Sequence, residues 1–119
     1  MKHLLLTTIA AVVLVATTAF ADPILDAAYN GDVVGVQAEL DKGVDVDVKG
    51  GFATGTPLNN AAANGHKVIV ELLIAKGVNE NAIDNGGDTP LDKASAYKHV
   101  KTADLLRKHG GKTGEELRA

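Results

Sequence analysis

Apolar and polar residues run along this chain in short helical stripes that recur at a nearly fixed interval. In Thr56 to His66, Leu58, Ala61 and Ala62 stand at i, i+3 and i+4 among polar Asn59, Asn60 and Asn64. This narrow apolar stripe predicts an amphipathic helix, and its alanines let a neighbouring helix approach closely. Thr56 followed by Pro57 predicts the start: a side-chain oxygen for a free N–H of the first turn, then a residue with no N–H to leave unpaired. Asn64-Gly65 predicts the end, because glycine adopts a left-handed backbone without a Cβ clash. A second stripe, Val70, Leu73 and Ile74 with Leu72 widening it, predicts a helix over Lys67 to Lys76, stopped at Gly77.

The same pattern recurs on both sides. Pro23, Pro57 and Pro90 are 34 and 33 residues apart, and Ala27, Ala61 and Ala94 keep the same register. Second helices are predicted over Val33 to Lys42 and Val100 to His109, stopped at Gly43 and Gly110. A period of one helix pair plus a connecting loop is the signature of a stacked array. The divisions are a first repeat at 22–49, a central one at 50–84, a third at 85–111 and a short tail at 112–119. The outer repeats carry polar residues at core-like slots: Glu39 where later copies have Leu73 and Leu106, and Arg107 where earlier ones have Leu40 and Ile74. Terminal repeats need such polar faces because no neighbour covers them, so Glu39 is expected at the open end of the stack. Gly35 inside its helix makes that end the first to fray. In the tail, Thr113-Gly114-Glu115-Glu116 reads as a capping box and predicts a last short helix.

Thr56-Pro57-Leu58, Ala61-Ala62, Gly65-His66, Leu72-Leu73, Gly77-Val78-Asn79 and Gly86-Gly87-Asp88-Thr89-Pro90-Leu91 together resemble the ankyrin-repeat pattern over roughly residues 22 to 111. The resemblance implies an all-α solenoid of about three helix-turn-helix repeats, joined by outward-pointing β-hairpin finger loops, that binds other proteins and catalyses nothing. Three departures stand out. Asn59 and Asp92 replace the family's usual histidine after Thr-Pro-Leu, Lys98 replaces a glycine, and the first copy has Asp22 before its proline.

Residues 1–21 read differently. Met1-Lys2-His3 is a short basic start, Leu4 to Ala16 is apolar, and Ala19-Phe20-Ala21 is an A-x-A site before Asp22. This is the layout of a signal peptide of bacterial type, removed near Ala21, which predicts a periplasmic or secreted protein that meets a membrane only transiently. An uncleaved Leu4 to Ala21 would instead be a tether near the minimum spanning length. With no cysteine, neither a disulfide nor N-terminal cysteine lipidation is available. A 3% aromatic content suits alanine-rich packing, and the net charge of −3 gives no basic surface for nucleic acid. Loss of residues 1–21 removes only Lys2 from the charge count.

Motifs for chemistry fail in detail. Asp45-Val46-Asp47-Val48-Lys49-Gly50 begins like a calcium loop, but Lys49 and Thr56 stand where ligands belong. Gly50 to Gly55 has P-loop spacing without the phosphate-binding lysine. His66 and His99 are equivalent by repeat position, which predicts a recurring packing and hydrogen-bonding role; Ser95 replaces an alanine and is expected on a packed face. No cofactor, metal or catalytic set is expected; the alternative from another class is a small metal-dependent enzyme whose activity would be lost on mutating His66 and His99.

The aromatic residues after Ala21, Tyr29, Phe52 and Tyr97, align with positions that the resemblance turns outward. Aromatic side chains bury much area with few rotors, which suits interface anchors. The expected partner-binding strip is Tyr29, Asn30, Phe52, Ala53, Ala63, Asn64, Asn85, Asp88 and Tyr97, presented by the finger loops and concave inner-helix face to an unknown protein. The array itself is expected to be monomeric or weakly self-associating end to end.

Overall fold

The computed structural model describes residues 22–51 and 54–119; residues 1–21, expected to be a signal peptide, and Phe52 and Ala53 lie outside the described residues. The described residues form seven helices: α1 (Pro23–Asn30), α2 (Val33–Asp41), α3 (Pro57–Ala63), α4 (Lys67–Ala75), α5 (Pro90–Ala96), α6 (Val100–Lys108) and α7 (Gly114–Arg118). The first six make three pairs. The inner helices α1, α3 and α5 pack side by side, and α2, α4 and α6 form a second layer behind them.

The core follows the small-residue stripe. Ala28, Ala61, Ala62 and Ala94 are fully buried between inner helices, while Val36, Ile69, Val70, Leu73 and Leu106 fill the space behind them. Burying each of the larger side chains contributes roughly 1.5–3 kcal/mol relative to exposure. Such helices need this help, since isolated segments of 7–9 residues fall below the length at which a helix holds in water.

The helix starts use side chains to satisfy backbone donors. Asn59 N–H donates to Thr56 Oγ1 at 3.2 Å, and Thr56 N–H donates to Asn59 Oδ1 at 2.8 Å. Thr89 with Asp92 and Thr113 with Glu116 repeat this reciprocal cap on α5 and α7. Asn59 and Asp92 also reach the following segment: Asn59 Nδ2 donates to Ala82 O at 3.0 Å, and Gly114 N–H donates to Asp92 Oδ2 at 2.8 Å. Thus the residues that depart from the Thr-Pro-Leu-His pattern cap their own helix and tie it to the next loop. Among the described residues, no buried side-chain nitrogen or oxygen lacks a hydrogen-bond partner.

Among the described residues the expected β-hairpin fingers are not present. These residues hold no β-strand, only an isolated antiparallel bridge between Gly50 and Gly55. The connecting loops close on themselves through carboxylate and amide side chains, which occupy backbone groups that a ladder would need. Asp47 N–H donates to Asp45 Oδ1, Asn81 N–H to Asn79 Oδ1, and both Gly86 and Asp88 N–H to Asp84 Oδ1. The architecture is an all-α stack with turn-like connections.

The two ends differ from the middle. Glu39 is 8% exposed and paired with Lys42 at 2.6 Å; it lines the groove between α1 and α2 that the described residues leave uncovered, so its carboxylate faces that end with a partner. Ser95, expected on a packed face, is exposed instead. Its equivalents Ala28 and Ala62 are covered by the next helix pair, and after α5 and α6 no further pair follows among the described residues. Arg107 pairs with Glu116 of α7 at 2.7 Å, which holds the tail against the third repeat.

Candidate protein-binding face

The strip residues separate into two groups at opposite ends of the inner helices, roughly 10 Å apart along helices of this length. At the C-terminal ends, Tyr29 is 58% and Tyr97 61% exposed, with Asn30 also exposed and Ala63 and Asn64 half-buried. At the connecting loops, Asn85 is exposed and Asp88 half-buried in the turn before α5. Phe52 and Ala53 lie outside the described residues.

Within the first group, backbone chemistry sets positions. The Tyr29 carbonyl accepts from Asn64 Nδ2 at 2.8 Å and lies 2.9 Å from His66 Nε2. The Ala63 carbonyl lies 3.0 Å from His99 Nε2. Each histidine therefore reaches back to the end of the preceding inner helix, and its ring covers the glycine that ends it. His66 and His99 thus serve as spacers between repeats, and the Tyr29 ring is left free of these backbone duties.

The loop group is built on a charge cluster that the sequence reading did not single out. Asp84, with its side chain only 3% exposed, is met by Lys93 Nζ at 3.0 Å; Asp88 lies 3.5 Å from the same ammonium. Burial pushes the Asp84 carboxyl up. The hydrogen bonds from Lys93, Asp88 N–H and Gly86 N–H outweigh that and hold it below its ordinary value. Lys93 is raised in turn, chiefly by its hydrogen bond to Asp84. The clamp fixes the turn that carries Asn85 and Asp88. Its sequence signal was the spacing of Asp84, Asp88 and Lys93, legible only once the loop is known to fold back on the helix start.

Exposed apolar residues also lie outside the strip. Val34 and Val68, equivalent by repeat position, stand on the outer helices, with Val100 at the uncovered end. Among the described residues no group of three or more His, Cys, Asp or Glu side chains is placed to hold a metal ion.

The three stacked helix pairs agree with the comparisons to known proteins. The family model for ankyrin repeats, in three copies, matches residues 24–116. This chain belongs to the ankyrin-repeat family. It is similar to Serine/threonine-protein kinase 12 of Arabidopsis thaliana, 33% identical over 85 residues, which is 71% of this chain and 18% of that one. It is also similar to Zygote-specific protein 3 of Chlamydomonas reinhardtii, 39% identical over 85 residues, 71% of this chain and 22% of that protein. The chain spans about a fifth of the length of these curated relatives. Ankyrin-repeat domains are non-catalytic scaffolds that generally mediate protein–protein interactions.

Proposed function

We propose that this chain is an exported, bacterial-type binding module of three repeats, 22–49, 50–84 and 85–111, with a tail at 112–119. Residues 1–21 act as a signal peptide, cleaved near Ala21, and deliver it to the periplasm or the medium. Its partner is another protein, which docks on the strip from Tyr29, Asn30, Ala63, Asn64 and Tyr97 to the loops carrying Phe52, Ala53, Asn85 and Asp88.

The observation that carries this reading is the exposure of both Tyr29 and Tyr97 at inner-helix ends. A large ring left uncovered beside a rigidly held backbone is available to a partner, and pre-organisation spares the partner the entropy of ordering the site. The test is a pull-down from the envelope of the producing cell, comparing the wild type with a Tyr29→Ala, Phe52→Ala, Tyr97→Ala variant of unchanged helicity. Recovery of one protein by the wild type alone supports the strip. Equal recovery by both places the binding surface elsewhere. Intact mass of the purified protein reads the cleavage: a mass starting at Met1 replaces export by tethering through Leu4 to Ala21.

A further inference from the structure

The two junctions inside the molecule follow one rule. His66 lies on Gly31 and reaches the Tyr29 carbonyl; His99 lies on Gly65 and reaches the Ala63 carbonyl. By repeat position, Gly31, Gly65 and Lys98 are equivalent, and so are Asp32, His66 and His99. At the two ends that the described residues leave uncovered, this couple is replaced by opposite charges: Lys98 stands where a glycine would receive the next histidine, and Asp32 where a histidine would reach back.

Lys98 keeps the backbone shape of the glycine, with φ of 62° against 76° and 69° for Gly31 and Gly65. Its side chain therefore starts into the space that the next ring fills inside the stack. An aspartate is shorter than a histidine and leaves room for the lysine. The end grooves are also alike in size, ≈ 350 Å³ at the α1–α2 end and ≈ 390 Å³ at the α5–α6 end. The first is lined by Asp26, Asp32 and Glu39 around small residues. The second carries Lys98 beside apolar Ala94, Val100 and Ala103, with Asp104 at a rim it shares with Lys101 and Lys108.

We propose that a second copy of this chain stacks on the α5–α6 end through its α1–α2 end, continuing the internal register and setting Asp32 of one molecule against Lys98 of the next. The register also brings Asn30, the equivalent of Asn64, to the Ala96 carbonyl, the equivalent of the Tyr29 carbonyl to which Asn64 donates. This contact uses different surfaces on the two molecules, so it leaves a free end at each side and does not stop at a dimer. It shares Asn30 with the strip proposed above and otherwise lies on the end grooves.

Sedimentation velocity on the protein as purified, its N-terminus read by intact mass, tests this. The weight-average mass is expected to rise with concentration past a dimer and to fall back with added salt, as screening weakens the pair. Lys98→Asp alone and Asp32→Lys alone each place like charges together and are expected to weaken association about tenfold or more. An equimolar mixture of the two restores it, since each variant then meets an opposite charge on the other. Asp32 also caps α2, its Oδ1 accepting from Gly35 N–H at 2.9 Å; Asp32→Asn retains that cap and serves as the folded control, and it is expected to weaken association as well. A monomer at every concentration overturns the proposal, as does association that the single variants leave unchanged or the mixture fails to rescue.

Discussion

The imidazole of His99 rests on Gly65: a methyl group added to that glycine would stand 2.5 Å from His99 Nδ1. Gly65 also has φ of 69°, so two independent constraints disfavour a side chain there. Gly65→Ala is expected to destabilise the protein by about 1–3 kcal/mol, from strain and from displacement of the ring. Lys98 has the same backbone without a ring above it. Lys98→Gly should therefore stabilise by roughly 0.5–1 kcal/mol through relief of the left-handed conformation. Opposite shifts of the urea midpoint check the pair; a stabilised Gly65→Ala protein would contradict the contact.

The two histidines are equivalent in sequence and unequal in consequence. The Tyr29 carbonyl has Asn64 Nδ2 as well as His66, whereas the Ala63 carbonyl is met by His99, and the slot of Asn64 is taken in the third repeat by Tyr97. Removing the only side-chain partner that a carbonyl has among the described residues is the larger loss, about 1–2 kcal/mol for His99→Ala, with His66→Ala smaller by roughly half. Chemical denaturation of both single variants gives the order, and an equal loss would refute it.

Lys93→Met leaves the nearly buried Asp84 carboxylate without its cation and is expected to cost about 1–3 kcal/mol at neutral pH. The pH dependence of the wild type has a definite sign. The Asp84 carboxyl is lowered below 3.8 in the fold. Its contribution is thus complete above that value and is lost as the pH falls through the folded-state value. Lys93 is raised above 10.5, so its contribution is complete below 10.5 and lost as the pH climbs through the folded-state value. Unfolding curves at acid, neutral and alkaline pH measure both edges, and the alkaline edge contribution should disappear in Lys93→Met.

Glu116 caps α7 and holds Arg107. The hydrogen bond from Thr113 N–H, then the one from Arg107, lowers its carboxyl from 4.5 to about 2. Docking of α7 is therefore fully supported above 4.5 and is lost as the pH falls through about 2. Amide exchange is the direct measure: the Leu117 N–H, bonded to Thr113 O at 3.1 Å, should lose protection over that acid range. Glu116→Gln should show weaker protection already at neutral pH and no acid step.

Much of the stack was legible in the residue pattern, and the reason is local. Thr56-Pro57 and Thr89-Pro90 specify helix starts through hydrogen bonds three residues long, and the repeated alanines specify close inner-helix packing, whatever lies further along the chain. The outward placement of Tyr29 and Tyr97 was what the ankyrin resemblance implied at those positions. The fingers were misread because strand or turn depends on where a loop's polar side chains find partners. Asp84 satisfies Gly86 and Asp88 N–H and captures Lys93, a choice that exists only when the loop sits on the start of α5.

Ser95 marks the same boundary from another side. Its register equals that of Ala28 and Ala62, yet it is exposed because burial is conferred by the neighbour and not by the residue. By itself, then, the sequence determined the helix pairs, their period and their caps, all of which rest on interactions within a few residues. The tertiary structure alone decided which equivalent positions are covered. It also decided how loops close, and that His66 and His99 bind carbonyls 37 and 36 residues away, since those contacts depend on one repeat being stacked on another.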